Sequence, residues 1–577
     1  MPLFDLHSHF SFKPANSASS ATGATPDTNH WHERFKSKAE WKGITKAAVA
    51  EVVKSSQLHG DAATEGGFRV IVNGLYPLES GFIHPGFTYE VAVLTGHSLA
   101  TIKDILEQRI APIELLQREF KNLMDGTALN GLSAAGNAYK VVNSHSEILQ
   151  ALAQDASTIC IVNSIEGAHA FADHLRDAHG NLMSADTAER KSIRGVGSNA
   201  KADFKRYIDR IRSNIAAVKG WSHPPFFVSF SHHYYNHLAG HAPSMTGLLT
   251  LLCPQTGSAP NEDDMGSRSC FRVGIRSWAK PVLADLLRRD AANGKRRILI
   301  DTKHMSAQAR IDFYEIADML RQQGDHLPIV VSHTAVNGRR SLHRTRTNVD
   351  TPFKDEEESS RYFYTGSINL FDDEIQRVVQ SDGLIGLMID ERRIMGEELP
   401  PEAGITFKQF EKATDDCKKL HKQWNDARNA FAWGDSTAAE LDQALAAINQ
   451  HLKPLLDRLR PAYLSVLFRQ LFHIMQQPGV GSNGWYHVAL GTDYDGVINP
   501  IDIYRQSSDM ATLAADLEAH WKACCNHPRA EVAALYNANL FGRAHAHWVE
   551  RFLWGNGMDF LRKYFNDDYL LHGQPAT

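Results

Sequence analysis

The sequence predicts a (β/α)8 barrel, an α/β fold of the TIM type, on three observations. Eight short apolar runs recur along the 577 residues. Most are continuous and rich in Val and Ile, as parallel strands covered on both faces are. Polar, metal-capable side chains follow six of the eight. An open doubly wound sheet uses the same local units and stays the alternative on strand count alone. At roughly 150 residues per domain the length would allow three or four domains. A barrel with long loop insertions also fills such a chain, so a single domain over 1–577 is expected.

In order, the runs are Leu3 to His7, Arg69 to Gly74, Thr158 to Ile165, Phe226 to Phe230, Arg297 to Asp301, Pro328 to Ser332, Leu384 to Ile389 and His487 to Gly491. The first ends in His7-Ser8-His9. Residues two apart on an extended chain share a face, so both imidazoles can serve one metal ion. An HxH pair alone is a weak signal that reads more readily as two half-buried or solvated histidines, and its meaning depends on partners. The third run leads into Ile165-Glu166-Gly167-Ala168-His169 and the fourth into Ser231-His232-His233. The fifth leads into Asp301-Thr302-Lys303-His304, the sixth into Ser332-His333-Thr334, and the eighth into Gly491-Thr492-Asp493-Tyr494-Asp495-Gly496. In a parallel barrel these strand ends share one rim, where barrel enzymes keep their chemistry. His7, His9, Glu166, His232, His304, His333 and Asp493 are therefore expected to converge on a single mouth.

Several neutral imidazoles with carboxylates suit Zn2+ or another borderline divalent ion, whereas Mg2+ or Ca2+ would call for an all-oxygen site. The expected arrangement is two zinc ions per chain. His7 and His9 hold the first, His304 and His333 the second, and Glu166 bridges them with its two oxygens. Water between two cations loses a proton near neutral pH and becomes a nucleophile. Asp493 then handles protons, accepting one from the attacking water and passing it to a leaving amine. His232 steadies the oxygen of the tetrahedral intermediate. Lys303 offers a rival reading as a carboxylated bridging lysine; strand alternation is expected to turn it away from the side that His304 faces.

The series IEGAH (165–169), SFSHH (229–233), LIDTKHMS (299–306), PIVVSHT (328–334) and HVALGTDYDG (487–496) resembles, in order and spacing, the motifs of the membrane (renal-type) dipeptidases, a branch of the amidohydrolase superfamily. The resemblance covers most of residues 1 to 500. It implies a binuclear zinc (β/α)8 barrel that hydrolyses dipeptides, often tolerating a D-residue at the C-terminal position. By position it implies metal binding at His7, His9, Glu166, His304 and His333, substrate contact at His232 and proton transfer at Asp493. The family usually carries His-x-Asp in the first strand, so His9 replaces an anionic ligand. That makes the site about one charge more positive and opens the choice of metal. The family's substrate-binding arginine lies shortly after the sixth-strand histidine. Here Arg339 and Arg340 follow His333, and either is a candidate to grip a substrate carboxylate; a solvated loop arginine is the competing reading of each. The segment containing Lys354-Asp355-Glu356-Glu357-Glu358 is an insertion before Asn369-Leu370-Phe371-Asp372-Asp373.

Composition limits the partners. Hydrophobic residues make up 43% and charged residues 22%, ordinary for a globular enzyme, and a net charge of -5 leaves no basic surface for nucleic acid. A small-molecule substrate is expected, with no nucleic acid and no membrane partner, and a homodimer as the default assembly. The six cysteines, Cys160, Cys253, Cys270, Cys417, Cys524 and Cys525, show no CxxC spacing and read as free thiols of a reducing compartment. No 18-residue apolar run and no leader is visible, so a cytoplasmic location is expected. Residues 13–29 read as a flap over the rim, 234–270 as a second long excursion on that face, and 75–95 as a pocket-lining or packing segment. Residues 406–475 read as a helical insertion, with Gly434 as a stop and Asp435 or Ser436 as the next cap. It suits a lid or a dimer contact. The leading function is metal-dependent hydrolysis of an amide bond in a dipeptide or N-acyl amino acid. The alternatives are a metal-dependent phosphoesterase and a degenerate barrel that binds a ligand without turnover.

Overall fold

A computed structural model describes residues 1–16, 30–31, 56–83, 99–130, 138–177, 179, 181–195, 200–245, 272–346, 354–432 and 434–576. Its strands are β1 (Leu3–Ser8), β2 (Phe68–Leu75), β3 (Tyr139–Val141), β4 (Ile159–Glu166), β5 (Phe227–Ser229), β6 (Leu299–Asp301), β7 (Val330–Thr334), β8 (Leu384–Leu387) and β9 (Val488–Leu490). They pair in the order β2-β1-β9-β8-β7-β6-β5-β4, and β2 pairs with β4 to close the ring. Every pairing between these strands is parallel. Each of the eight apolar runs contributes one barrel strand, which makes the fold a TIM-type α/β barrel.

The strand absent from the sequence reading is β3. It pairs with the first half of β4, from Tyr139 opposite Ile159 to Val141 opposite Ile161. Beyond it β5 takes over the same edge, with Glu166 opposite Ser229. β4 is buried along its whole length, as the continuous apolar pattern requires of a strand packed on both faces. The ring closes between its first and last strands, with Asp5 opposite Leu490.

Buried carboxylates tie strand ends together. Asp5 accepts hydrogen bonds from the Thr492 backbone at 2.8 Å and its hydroxyl at 2.6 Å, joining β1 to the segment after β9. Asp301 accepts from the hydroxyls of Ser229 and Ser332 and from the Ser332 backbone, joining β5, β6 and β7. Such bonds fix where the rim residues emerge.

The expected helical block is present as two helices, Phe407–Ala432 and Ala438–Met475, packed against each other. The last third of the second helix is buried in the main core, through residues such as Tyr463, Phe468 and Phe472. Its cap is Thr437 rather than Asp435 or Ser436. The Thr437 side chain accepts from the Glu440 backbone, and Glu440 reaches back to the Thr437 N–H, a reciprocal capping box. Gly434 does stop the preceding segment, in a left-handed conformation (φ 74°). Among the described residues no helix is long and apolar enough to cross a membrane. Cys160, Cys417, Cys524 and Cys525 are free thiols. Most of the expected flap (17–29), the second excursion from 246 to 270 and residues 84–95 lie outside the described residues.

Candidate metal centre

All seven rim residues expected to converge do so, and all are buried. Glu166, the last residue of β4, is their hub. Its Oε2 lies 3.0 Å from His9 Nε2 and 3.3 Å from His232 Nε2. Its Oε1 lies 3.3 Å from His304 Nε2 and 3.5 Å from both His333 Nε2 and His7 Nε2. Asp493 Oδ1 is 3.4 Å from His9 Nε2 and 3.8 Å from His7 Nε2, and its Oδ2 is 3.9 Å from His333 Nε2. Two ligand sets result, His7, His9, Glu166 and Asp493 on one side and Glu166, His304 and His333 on the other. His232, His233 and His304 make a third close group.

The donor chemistry fits divalent cations. His304 Nε2 and His333 Nε2 face each other at 3.1 Å. His7 Nε2, His9 Nε2 and Asp493 Oδ1 are buried without a hydrogen-bond partner, a costly condition unless something else satisfies them. Zinc bonds of about 2.0–2.1 Å in a tetrahedral shell place ligand atoms roughly 3.3 Å apart, which is the spacing found here. Two of the rings are also held in the tautomer that frees Nε2. His9 Nδ1 donates to the Gly74 carbonyl at 2.9 Å. His333 Nδ1 donates to Ser332 Oγ at 2.9 Å, and that hydroxyl in turn donates to Asp301. Such outer partners orient metal-binding imidazoles.

The local fields are strong. Burial pushes Glu166 up, but His232, His7 and His9 outweigh it and hold its carboxyl well below the usual range. Burial lowers His304 to about 3 and holds His333 well below an ordinary imidazole, leaving both as neutral donors. Burial opposes a proton on His9, yet Glu166 and Asp493 raise it well above the ordinary value. A field that favours a proton at that nitrogen favours a cation there too. His232 is raised to about 10 as Glu166 and Glu79 overcome its burial.

The backbone is bent to make the site. His304 and Asp493 adopt left-handed conformations (φ 66° and 59°), uncommon for non-glycine residues and concentrated at functional positions. Two glycines leave room for the cluster. A methyl group on Gly74 would sit 2.9 Å from His7 Cε1 and 3.2 Å from His9 Cε1, and one on Gly496 would sit 2.2 Å from Asp493 Oδ1.

The conformation of His304 also corrects the expectation for Lys303. Strand alternation ends where φ turns positive, and Lys303 and His304 line the same cavity. Glu166, His232, His333, Asp493, Tyr76, Phe82, Met388 and Arg393 line it as well. Arg339 and Arg340 are not among the lining residues. Arg339 is buried with its guanidinium over the Phe371 ring at 5.1 Å and its Nε 3.7 Å from Glu356. Arg340 is exposed, with Asp355 3.4 Å away. The acidic insertion supplies both partners.

Residues at two strand ends escaped the sequence reading. Glu79, on the segment after β2, accepts from His232 Nδ1 at 2.6 Å and from the Tyr234 backbone at 3.0 Å. Its burial is outweighed by His232 and His169, which hold it at about 2. Asp390, Arg392 and Arg393 follow β8. These are the two strand ends left empty in the sequence reading, and the strand-end rule that located the others would have found them.

No family model matches this chain, and no curated protein matches it. Among solved structures, it is similar to the dipeptidase AC, a metallo peptidase of family M19, at 12% identity over 98% of this chain and 99% of that one (TM-score 0.43). A metallo peptidase from Rhodobacter sphaeroides, liganded with a phosphinate mimic of the dipeptide L-Ala-D-Ala, matches at 13% identity over 96% and 99% (TM-score 0.43). The probable dipeptidase PvdM from Pseudomonas aeruginosa matches at 15% identity over 86% and 90% (TM-score 0.39). Likenesses this loose carry no argument about chemistry, which rests on the residues themselves.

Proposed function

We propose that this chain is a metal-dependent hydrolase that cleaves the amide bond of a dipeptide or N-acyl amino acid, with two zinc ions as its cofactor. The observation that carries the reading is the place of Glu166 between two ligand sets: Oε1 faces His304 and His333, Oε2 faces His9, and His7 Nε2 lies 3.5 Å from Oε1. A carboxylate so placed among imidazoles is suited to bridging two cations. His7 and His9 would hold one ion, His304 and His333 the other. Bound there, divalent ions supply an acidified water and polarise a carbonyl.

The remaining groups have work matched to their positions. Asp493 reaches toward both ligand sets, so its carboxylate can take a proton from the attacking water as the new C–O bond forms. It then gives that proton to the amine nitrogen as the C–N bond breaks, which balances the reaction. His232, placed between Glu79 and Glu166, can when protonated donate a hydrogen bond to the carbonyl oxygen as negative charge develops on it. Glu79 keeps that ring turned inward. Met388, Phe82 and Tyr76 supply apolar walls for a small side chain.

The test is elemental analysis of protein purified without chelator, with the same sample assayed on L,L- and L,D-dipeptides. Two zinc ions per chain with cleavage is the expected result. One ion or none, with no cleavage after zinc is added, refutes the reading.

A further inference from the structure

Among the described residues, two basic side chains lining the cavity have no carboxylate at ion-pair distance; burial lowers Lys303 to about 7 and lowers Arg393 as well, with Asp493 and Asp301 opposing it at the first and Asp390 at the second. Lys303 Nζ is buried and has no hydrogen-bond partner. Arg393 is buried too. One of its terminal nitrogens donates to the Ser244 carbonyl and its guanidinium rests over the Tyr364 ring at 5.4 Å, but Nη1 has no partner. The other charges lining the cavity are engaged. Arg392 binds Asp390 at 2.8 and 3.1 Å, Lys13 binds Asp495 at 2.6 Å, and Glu166 and Asp493 face the imidazoles.

Buried cations are ordinarily paired or hydrogen-bonded, because leaving them bare costs several kcal/mol or more. Two basic groups lining one cavity with open N–H groups are arranged for a ligand that brings its own negative charge. We propose that Lys303 and Arg393 form an anion subsite that takes a carboxylate of the bound ligand, one oxygen at the ammonium and one at Arg393 Nη1. The inference rests on the hydrolase reading only for identifying that group as the α-carboxylate of the residue on the amine side of the scissile bond. In that role the pair fixes the amide against Glu166 and Asp493 and selects substrates with a free carboxyl end over amidated ones. Arg339 and Arg340, occupied by Glu356 and Asp355, leave this task open.

The probes are N-acetyl-D-alanine and N-acetyl-L-alanine against their uncharged methylamides. Each is titrated calorimetrically into the full chain as isolated and again after chelation, and the second titration excludes turnover and direct metal binding. The wild type is expected to bind at least one acid about tenfold or more tightly than its amide. That preference should fall below about threefold in Lys303→Met and in Arg393→Gln, and Arg393→Lys should keep most of it. Circular dichroism checks folding and elemental analysis checks zinc. A wild type indifferent to acid and amide, or folded Met and Gln variants that keep the full preference, would overturn the proposal. An intact acid preference in protein that binds no metal and cleaves nothing would remove the hydrolase reading and leave the anion subsite standing.

Discussion

Replacing Glu166 with Gln tests the hub of the site directly. The change keeps shape but removes one negative charge and turns one oxygen into an NH2 group, which donates and has no lone pair for a cation. The amide has two orientations. In one, its nitrogen faces His304, His333 and His7; in the other, it faces His9 and His232. Either way at least one ligand set loses the carboxylate oxygen it faces. A unit charge 3.3 Å away, the distance from Glu166 to His304 Nε2, interacts with a positive charge by about 5 kcal/mol at an effective dielectric of about 20. Loss of an outer partner alone weakens metal binding by about 10- to 100-fold. A direct ligand should cost at least the upper figure, about 2.7 kcal/mol, at one of the two positions. Competition against a chromophoric chelator, followed by elemental analysis, should then show zinc falling from two ions to about one. Two ions held with unchanged affinity would refute the bridging role of Glu166.

Asp493→Asn should leave metal content nearly unchanged while lowering kcat by about 100- to 10,000-fold, the range of a lost general acid–base; near-full activity on every cleaved substrate would show that another group moves the proton. Gly74→Ala should drive His7 and His9 from their positions, cost about 1–3 kcal/mol by overpacking, and reduce zinc content, readable by thermal melts and elemental analysis. Glu119 accepts from Ser11 Oγ at 2.6 Å and from the Tyr76 backbone at 2.9 Å, and burial pushes it up to about 7. Its folded form therefore keeps a proton that the unfolded chain releases near 4.5. The resulting stability, on the order of 3 kcal/mol, is full below pH 4.5 and lost as pH rises through 7. Glu119→Gln should flatten that slope in melts of chelated protein between pH 5 and 8; an unchanged slope would remove Glu119 as its source.

What the sequence made legible is what strand geometry dictates locally. A continuous Val- and Ile-rich run betrays a buried parallel strand, and the residue at its end must emerge on the common rim, so His7, His9, Glu166, His232, His304, His333 and Asp493 could be gathered without coordinates. β3 left no continuous apolar run, because the exposed Lys140 stands between its buried Tyr139 and Val141. The direction of Lys303 depended on the positive φ of His304, which no alternation rule foresees. The fate of Arg339 and Arg340 depended on a long-range partner, the acidic insertion, whereas Glu79 and Arg393 were missed because the second and seventh strand ends were assigned no polar group.

The pairing of β1 with β9 has a consequence for biosynthesis. The Asp493 backbone donates to the His7 carbonyl at 2.8 Å, and Thr492 donates to Asp5, so the first histidines made wait for nearly the last part of the barrel. A ribosome must deliver the chain past Asp493 before His7 and His9 acquire their surroundings. No shorter nascent segment holds both ligand sets in this geometry. On the proposed reading, ion capture would be a late event in the life of the polypeptide, coupled to ring closure, and a metal bound by the finished site would draw the closed ring out of its open precursors.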